Sequence, residues 1–179
     1  MDFILDEFAH EIKYNNQQPA NHIYCFNKNN TNGNLYLGNR KAAETYDFLL
    51  QNNVKYVLSL TNSSLAPNYE SFKDIINDHI IITIEDTEDQ NITEHLKQCH
   101  NFIDNALKNA NVLVHCQAGV SRSASIVITY LMNRLEIDLT QAYGIVRKKR
   151  PIIGPNNGFM NQMKQIETNK KRFPQEIDF

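Results

Sequence analysis

The chain has 179 residues, a formal net charge of −2 at neutral pH and 41% hydrophobic residues. This length fits one domain with a single buried core, and the apolar fraction argues against wholesale disorder. The charge balance disfavours binding to nucleic acid, which requires excess positive charge. No apolar run approaches the roughly 20 residues of a membrane-spanning helix, so we expect no membrane association. The acidic first ten residues are not typical of a signal peptide.

The first 34 residues differ from the rest of the chain. An apolar face predicts a short helix over residues 1–14, and the polar, Asn-rich stretch 15–34 predicts an irregular connection. We expect residues 1–34 to form an arm that packs on the domain or on a second copy of the chain in a homodimer. The apolar positions of the predicted helix are Ile4, Leu5, Phe8 and Ile12.

From residue 35 the pattern alternates between strands and helices. The predicted strands cover residues 35–38, 54–60, 80–84 and 112–115, and the predicted helices cover residues 41–52, 93–110, 123–136, 139–149 and 159–169. This alternation predicts an α/β fold with a central, mostly parallel sheet flanked by helices. We expect one domain over residues 35–172 and a tail over residues 173–179.

Three local features add detail to these elements. The run 80–84 is nearly all β-branched, which is typical of a strand covered on both faces. Asn39 and Thr93 precede helical patterns and are predicted to cap them. The basic run 147–150 closes a predicted helix, where positive charge is favourable. A role in substrate binding or nuclear import is the alternative for that run.

The cysteine content indicates a reducing setting. Cys25, Cys99 and Cys116 form a small, odd-numbered set, which argues against a disulfide framework. We therefore expect an intracellular protein, in the cytoplasm, with the nucleus as the alternative. The cysteines and histidines show no zinc-site spacing, so we expect no metal and no other cofactor. Cys99 lies on the apolar side of its predicted helix and is expected in the core, with a redox role for Cys25 or Cys99 as the alternative.

The loop after the predicted strand 112–115 carries the strongest chemical signal. Ligands of parallel sheets bind beyond the carboxyl ends of the strands, and residues 115–123 read HCQAGVSRS at such an end. Such a loop can direct backbone N–H groups at an anion, and the following helix adds a positive dipole end. Gly119 allows an unusual backbone conformation, and Arg122 offers donors for phosphate oxygens. These surroundings favour the thiolate form of Cys116 and predict nucleophilic attack on a phosphate ester.

The pattern Cys-x5-Arg, with a preceding His and a following Ser, resembles the signature of protein tyrosine phosphatases. The wording HCQAGVSRSAS is similar to the dual-specificity branch, and within it to the MAP-kinase-phosphatase-like enzymes. Stretches similar to that family recur in the same order over about residues 34–170: LYLGN at 35–39, YVLSLT at 56–61, TYLM at 129–132 and RPIIGPNNGF at 150–159. The resemblance implies the dual-specificity phosphatase fold. It also implies hydrolysis of phosphotyrosine, phosphoserine and phosphothreonine through a phosphocysteine intermediate.

The resemblance also implies roles for individual residues. Cys116 would be the nucleophile, Ser123 would help the thiolate to leave in the second step, and His115 would orient the loop. Asn156 would support the loop from a neighbouring turn. The phosphate would be held by the loop residues Gln117, Ala118, Gly119, Val120, Ser121 and Arg122.

Composition alone does not choose the general acid. Four carboxylates follow the predicted strand 80–84, namely Glu85, Asp86, Glu88 and Asp89. The resemblance implies that Asp86 protonates the leaving group, and Asp89 is the alternative.

The loop also bears on the substrate. Phosphoinositide phosphatases of the superfamily carry extra basic residues in this loop, whereas Gln117, Ala118 and Val120 are neutral. The resemblance therefore implies a phosphoprotein substrate, including a protein kinase. The alternatives are a phosphatase for phosphoinositides or RNA 5′ ends, and a non-catalytic module that binds phosphorylated residues.

Overall fold

A computed structural model describes residues 18–26 and 33–172 of the chain. Within these ranges the strands are β1 (Ala20–Cys25), β2 (Asn34–Gly38), β3 (Val54–Leu60), β4 (Asp78–Ile82) and β5 (Asn111–His115). They form one sheet in the order β1-β2-β5-β3-β4, in which β1 runs antiparallel to β2 and the other neighbours are parallel. The mostly parallel sheet predicted from the alternating pattern is confirmed.

Helices cover both faces of the sheet. They are α1 (Arg40–Glu44), α2 (Tyr46–Gln51), α3 (Thr93–Asn109), α4 (Arg122–Arg134), α5 (Leu139–Lys149) and α6 (Asn157–Arg172), with short 3-10 turns at Ser63–Leu65 and Tyr69–Phe72. Val112 and Val114 belong to the larger apolar cluster, and Leu113 belongs to the smaller cluster on the other face. Successive side chains of a strand point to opposite faces, so the fully buried β5 carries both cores. None of the helices in the described ranges is long and apolar enough to cross a membrane.

The first strand replaces part of the predicted irregular connection. The interpretation of residues 15–34 as an irregular connection was wrong for Ala20–Cys25, which pairs with β2 in antiparallel register. The strand is polar, and Ile23 is its one buried aliphatic side chain larger than alanine. The sequence of β1 therefore lacks the hydrophobic pattern from which a strand can be predicted. The predicted helix over residues 1–14 lies outside the described residues.

The predicted helix 41–52 and the predicted strand 80–84 also differ from the structure. The helix is interrupted at Thr45, whose backbone is extended with φ −100° and ψ 104°. The strand is β4 at Asp78–Ile82, and it was wrongly predicted to be covered on both faces. Among the described strands it pairs only with β3, and Ile81 remains 36% exposed at this sheet edge. A β-branched run does not by itself distinguish an edge strand from a central one.

The two predicted helix caps have different outcomes. The side chain of Asn39 accepts a hydrogen bond from the Ala42 amide at 3.1 Å, so this predicted cap is confirmed. Thr93 was wrongly predicted as a cap, because it is the first residue of α3 itself. Its amide is instead bound by the side chain of Asn91 at 2.9 Å.

The strand order brings the carboxyl ends of three strands, β2, β5 and β3, together at one edge of the sheet. In the register of the sheet, Gly38 on β2 and Ser59 on β3 are the neighbours of His115 on β5. The loop that follows His115 therefore begins between two parallel strands, at the edge where parallel sheets bind ligands. The sequence motif at 115–123 lies in this loop.

Candidate active site

The loop from Cys116 to Ser121 connects β5 to α4, and each of its six carbonyl oxygens has a partner. Three of them accept from backbone amides: Gln117 O from Arg40 at 3.2 Å, Val120 O from Gly154 at 2.9 Å and Ser121 O from Ser125 at 2.9 Å. The other three contact side chains. Ala118 O and Gly119 O accept from Arg150 at 3.3 and 2.8 Å, and Cys116 O lies 3.3 Å from His115 Nδ1. In a trans peptide the N–H group points away from the carbonyl. The outward carbonyls therefore turn the amides of residues 117–122 towards the inside of the loop, which forms a cup for an anion.

The sulfur of Cys116 lies at the base of this cup. The residue is 1% exposed, and its Sγ accepts hydrogen bonds from the Gly119 amide at 3.3 Å and from Ser123 Oγ at 3.2 Å. Donors on sulfur stabilise the negative charge of a thiolate. Cys116 and Ser123 are thus brought together as the motif predicts.

The tight bend of the loop depends on Gly119. Its φ is +68°, in the left-handed region that side chains resist. A Cβ at this position would lie 2.5 Å from Gly38 O and 2.8 Å from Arg150 Nη2. Close packing against β2 therefore excludes any larger residue here.

The first residue of α4, Arg122, lines the cup. Its Nη1 donates to Leu60 O at 3.3 Å and to Ile84 O at 3.2 Å, which fixes the guanidinium between β3 and the loop after β4. Among the described residues, its buried Nε has no hydrogen-bond partner. A buried donor of this kind is well placed to bind an oxygen of a ligand.

The carboxylate of Asp86 is tied directly to the loop 116–121, which is predicted to bind phosphate and is named the phosphate-binding loop below. Its Oδ1 accepts from Ser121 Oγ at 2.6 Å and from Asn156 Nδ2 at 2.9 Å, and its Oδ2 lies 3.7 Å from Arg122 Nε. Two donors on Oδ1 hold the carboxyl group in one orientation and leave Oδ2 beside Arg122 Nε. The structure therefore brings Asp86, Ser121, Arg122 and Asn156 together.

All four carboxylates of the loop after β4 are exposed, so exposure does not distinguish Asp86 from the other three. A hydrogen bond from Thr87 lowers the pKa of Asp89, so that side chain carries a proton less often at neutral pH and is less available as a general acid. Glu88 accepts a hydrogen bond from Asn157 Nδ2 at 3.0 Å and so faces the start of α6. These contacts favour Asp86 over Asp89 as the candidate general acid.

His115 lies behind the loop in a buried, polar pocket. Burial lowers the pKa of His115 to about 4, so the ring is neutral at pH 7. The Cys116 carbonyl can only accept, so Nδ1 carries the proton and donates to it at 3.3 Å. Nε2 then accepts from the Ser59 hydroxyl at 2.7 Å, with Tyr69 Oη 3.4 Å away. Sequence reasoning found His115 but missed Ser59 and Tyr69, which only the sheet register and a distant turn place there.

Arg150 was misjudged from the sequence. The basic run 147–150 is predicted to place charge at a helix end. Arg147, Lys148 and Lys149 do lie in the last turn of α5, but Arg150 is fully buried. It donates to two carbonyls of the phosphate-binding loop, to Gln18 O and to Asn21 Oδ1. The available sequence signal is its position before Pro151, where the chain has to leave the helix.

The remaining cysteines differ from Cys116 in their surroundings. Cys99 is buried in α3, and burial raises its pKa to about 12, so the thiol is unreactive at neutral pH. The predicted core position of Cys99 is confirmed. Cys25 is exposed at the end of β1.

Comparisons with known proteins place the fold and the loop in one family. Residues 35–169 match the family described as dual specificity phosphatase, catalytic domain. The chain belongs to this family.

Individual relatives share the same region. A MAP kinase phosphatase with leucine-rich repeats, protein 2, from Dictyostelium discoideum is 41% identical over 134 residues, which are 74% of this chain and 18% of that protein. A probable dual specificity protein phosphatase from the same organism is 37% identical over 143 residues, or 80% of this chain and 64% of the relative. The chain thus spans less than a fifth of the length of the first relative.

A solved structure has the same architecture. The Yvh1 phosphatase domain from Chaetomium thermophilum superposes with a TM-score of 0.69 at 28% identity, over 89% of this chain and 99% of that one. The predicted family and its fold are confirmed.

We predict that acid destabilises the protein through His115. Below pH 6.5 the unfolded chain binds a proton at this ring while the folded chain does not, so stability falls with pH until about pH 4. The expected loss from this group is about 3 kcal/mol at pH 4, on the relation of 1.36 kcal/mol per pKa unit. Urea unfolding between pH 7 and pH 4 measures it. In His115→Asn this part of the pH dependence should disappear, and an unchanged slope would contradict the assignment.

We predict that Gly119→Ala distorts the cup. The added methyl group meets Gly38 O and forces a left-handed residue to carry a Cβ, which costs about 1–3 kcal/mol. Affinity for the oxyanion tungstate, measured by calorimetry, should fall at least about tenfold. Gly144→Ala is the matched control, because nothing lies within 4 Å of a Cβ at that helical position. Equal tungstate affinity in both variants would refute the steric argument.

Proposed function

We propose that the chain hydrolyses phosphate monoesters on proteins, at phosphotyrosine and at phosphoserine and phosphothreonine, through a phosphocysteine intermediate. The observation that carries the proposal is the buried Cys116 sulfur. It accepts two hydrogen bonds at the base of a cup of inward amides, beside Arg122 and Asp86. A thiolate, an anion cup and a carboxyl group are the parts that nucleophilic phosphoryl transfer needs.

In the first step the Cys116 thiolate attacks phosphorus in line with the leaving oxygen. The P–O bond to the side chain of the substrate breaks as the S–P bond forms. Asp86 gives its proton to the leaving oxygen from Oδ2, since two donors already bind Oδ1. The inward amides and Arg122 Nε bind the non-bridging oxygens, where charge stabilisation is required.

In the second step water attacks the phosphocysteine. Asp86, now a carboxylate, takes a proton from that water, and the S–P bond breaks to release inorganic phosphate. The hydroxyl of Ser123, 3.2 Å from the sulfur, donates to the departing thiolate. His115 stays neutral and acts on the loop through the Cys116 carbonyl.

The rim of the cup and the relatives support a phosphoprotein substrate. Gln117 and Ala118 are exposed on the loop and carry no charge, so these two positions add no cation for a multiply phosphorylated inositol ring. Two relatives are named MAP kinase phosphatases. We therefore propose a phosphoprotein, including a protein kinase, as the substrate.

The central test is hydrolysis of p-nitrophenyl phosphate and of a doubly phosphorylated peptide. Cys116→Ser should lower kcat by at least about 1,000-fold while the peptide still binds, because the nucleophile is lost and the cup remains. Asp86→Asn should slow peptide hydrolysis about 100-fold or more, since a general acid contributes on this scale. Asp89→Asn is the matched control and should retain activity. Equal loss in the two Asp variants would contradict the assignment of the acid.

The same assay distinguishes the other substrate classes. Wild type is assayed in parallel on phosphopeptides, on a phosphoinositide and on triphosphorylated RNA. Faster turnover of the lipid or the RNA would refute a protein substrate. Tight peptide binding with no turnover of any substrate would show a phosphoresidue-binding module.

We also predict that Ser123→Ala makes hydrolysis of the phosphocysteine the slow step. Without the donor at 3.2 Å, the thiolate is a poorer leaving group, although it still attacks the substrate. Rapid mixing should show a burst of p-nitrophenol, and mass spectrometry should detect phosphorylated protein. Ser125→Ala, two residues further along α4, is the matched control. Absence of a burst together with wild-type steady-state turnover would refute the role of Ser123.

A further inference from the structure

The residues that bind the phosphate-binding loop from behind extend beyond the region that matches the family. The match covers residues 35–169, whereas Arg150 joins the loop to Gln18 and to Asn21 on β1. The described part of the predicted N-terminal arm is therefore in contact with the residue that holds the cup. This contact has a direct consequence for the chemistry of the site.

The guanidinium of Arg150 is fully buried and donates hydrogen bonds in two directions. Towards the loop, Nε donates to Gly119 O at 2.8 Å and Nη2 donates to Ala118 O at 3.3 Å. Away from the loop, Nη1 donates to Asn21 Oδ1 at 2.7 Å and to Gln18 O at 3.2 Å. A planar fork cannot rotate about its loop contacts while its other end is fixed, so the contact with Asn21 determines where the two carbonyls lie.

These two carbonyls belong to peptides whose N–H groups line the cup. The peptide that carries Ala118 O also carries the Gly119 amide, which donates to the Cys116 sulfur at 3.3 Å. A rotation of this peptide moves its N–H away from the sulfur as it moves its oxygen away from Arg150. The position of the guanidinium therefore affects the position of the Gly119 amide, the donor that stabilises the thiolate.

Asn21 is well suited to hold the guanidinium. It is 7% exposed, and β1 is anchored beside it by the Asn39 amide, which donates to Pro19 O at 2.8 Å. Among the described residues, the four acceptors of Arg150 are neutral oxygens, so no carboxylate among them cancels its positive charge. Burial lowers the pKa of Arg150 to about 10, which leaves the group charged at neutral pH.

We propose that Asn21 is a positioning residue for the phosphate-binding loop, acting through Arg150, and that residues 18–25 belong to the catalytic unit. The proposal deepens the phosphatase function proposed above and rests on it for its kinetic readout. The segment that sequence analysis treated as an arm before the domain thus sets the geometry of the cup. A chain that began at residue 35 would keep Cys116, Asp86 and Arg122 but lose this support.

The test compares three substitutions in the full chain. Asn21→Ala removes the acceptor, Asn21→Asp keeps an oxygen at the same place, and Asn111→Ala is the matched control. Asn111 is also buried and joins chain segments, binding the Asn34 amide and Asn52 O at 2.7 Å each, but it lies at the opposite end of β5 from Cys116. The measurements are kcat and KM for p-nitrophenyl phosphate, tungstate affinity by calorimetry, and Tm.

Asn21→Ala should lower kcat/KM about tenfold and weaken tungstate binding by a similar factor, the scale of one hydrogen bond to a charged group. Asn21→Asp should restore both to within about threefold of wild type. Asn111→Ala should lower Tm with little change in either quantity. Wild-type kinetics and tungstate affinity in Asn21→Ala, or an equal loss in Asn111→Ala, would overturn the proposal.

Tungstate binding also separates this proposal from the proposed function. It is measured in Cys116→Ser with and without Asn21→Ala, where no turnover is needed. If wild type hydrolyses no phosphate ester, the phosphatase assignment fails, while a weaker tungstate affinity in the double variant still supports the positioning role. If wild type is active and Asn21→Ala binds tungstate as well as its parent, only the positioning role fails.

Discussion

The structure depends on how one loop satisfies its backbone. For the amides of residues 117–122 to face a common centre, the carbonyls of residues 116–121 have to face outward into the protein. A buried carbonyl without a donor costs free energy comparable to a lost hydrogen bond, so six unsatisfied oxygens would prevent the loop from forming. The donors come from β5, from the start of α1, from the end of α5, from the turn before α6 and from α4. The sheet and its helices are thus arranged around the outside of the cup.

The electrostatics of the cup follow from the same packing. Behind the loop, Arg150 is a buried cation whose acceptors are neutral, while His115 is kept neutral by burial. The positive field at the sulfur therefore comes from two guanidinium groups, from aligned amides and from the N-terminal end of α4, which contributes roughly half an elementary charge. A protonated, charged form of His115 is unfavourable directly behind Cys116, because burial penalises the imidazolium form.

The part of the site that sequence predicted is the part that is local in the chain. Cys116, Arg122 and Ser123 lie in one strand–loop–helix segment, so their spacing alone places them together. Asp86 required the resemblance, since four neighbouring carboxylates look alike in sequence and only the contacts with Ser121 and Asn156 distinguish it. The helices and most strands followed from periodicity, because each buries a continuous apolar face.

What sequence missed depends on long-range contacts. The strand β1 is polar and is held by pairing to β2, which leaves no alternating pattern to detect. Arg150 sits in a basic run that is typical of a solvated helix end, and its burial is decided by acceptors more than 100 residues away at Gln18 and Asn21. In both cases the local pattern favours solvent exposure, and the satisfaction of distant polar groups overrides it.

Asp86, the proposed general acid, is held by the fold in the same manner as Cys116, the proposed nucleophile. Ser121 belongs to the loop that cradles the sulfur, and its hydroxyl donates to Asp86, so a direct hydrogen bond joins the segment of Cys116 to the segment of Asp86. The loop after β4, which carries Asp86, is also bound to α6. There Gln162 donates to Gln90 O and accepts from the Ile92 amide, each at 2.8 Å. Moving Asp86 away from the cup would break the hydrogen bonds of Ser121 and Asn156 together. The separation of thiolate and proton donor is therefore set by packing between two connected segments, which is the preorganisation that an oxyanion site requires.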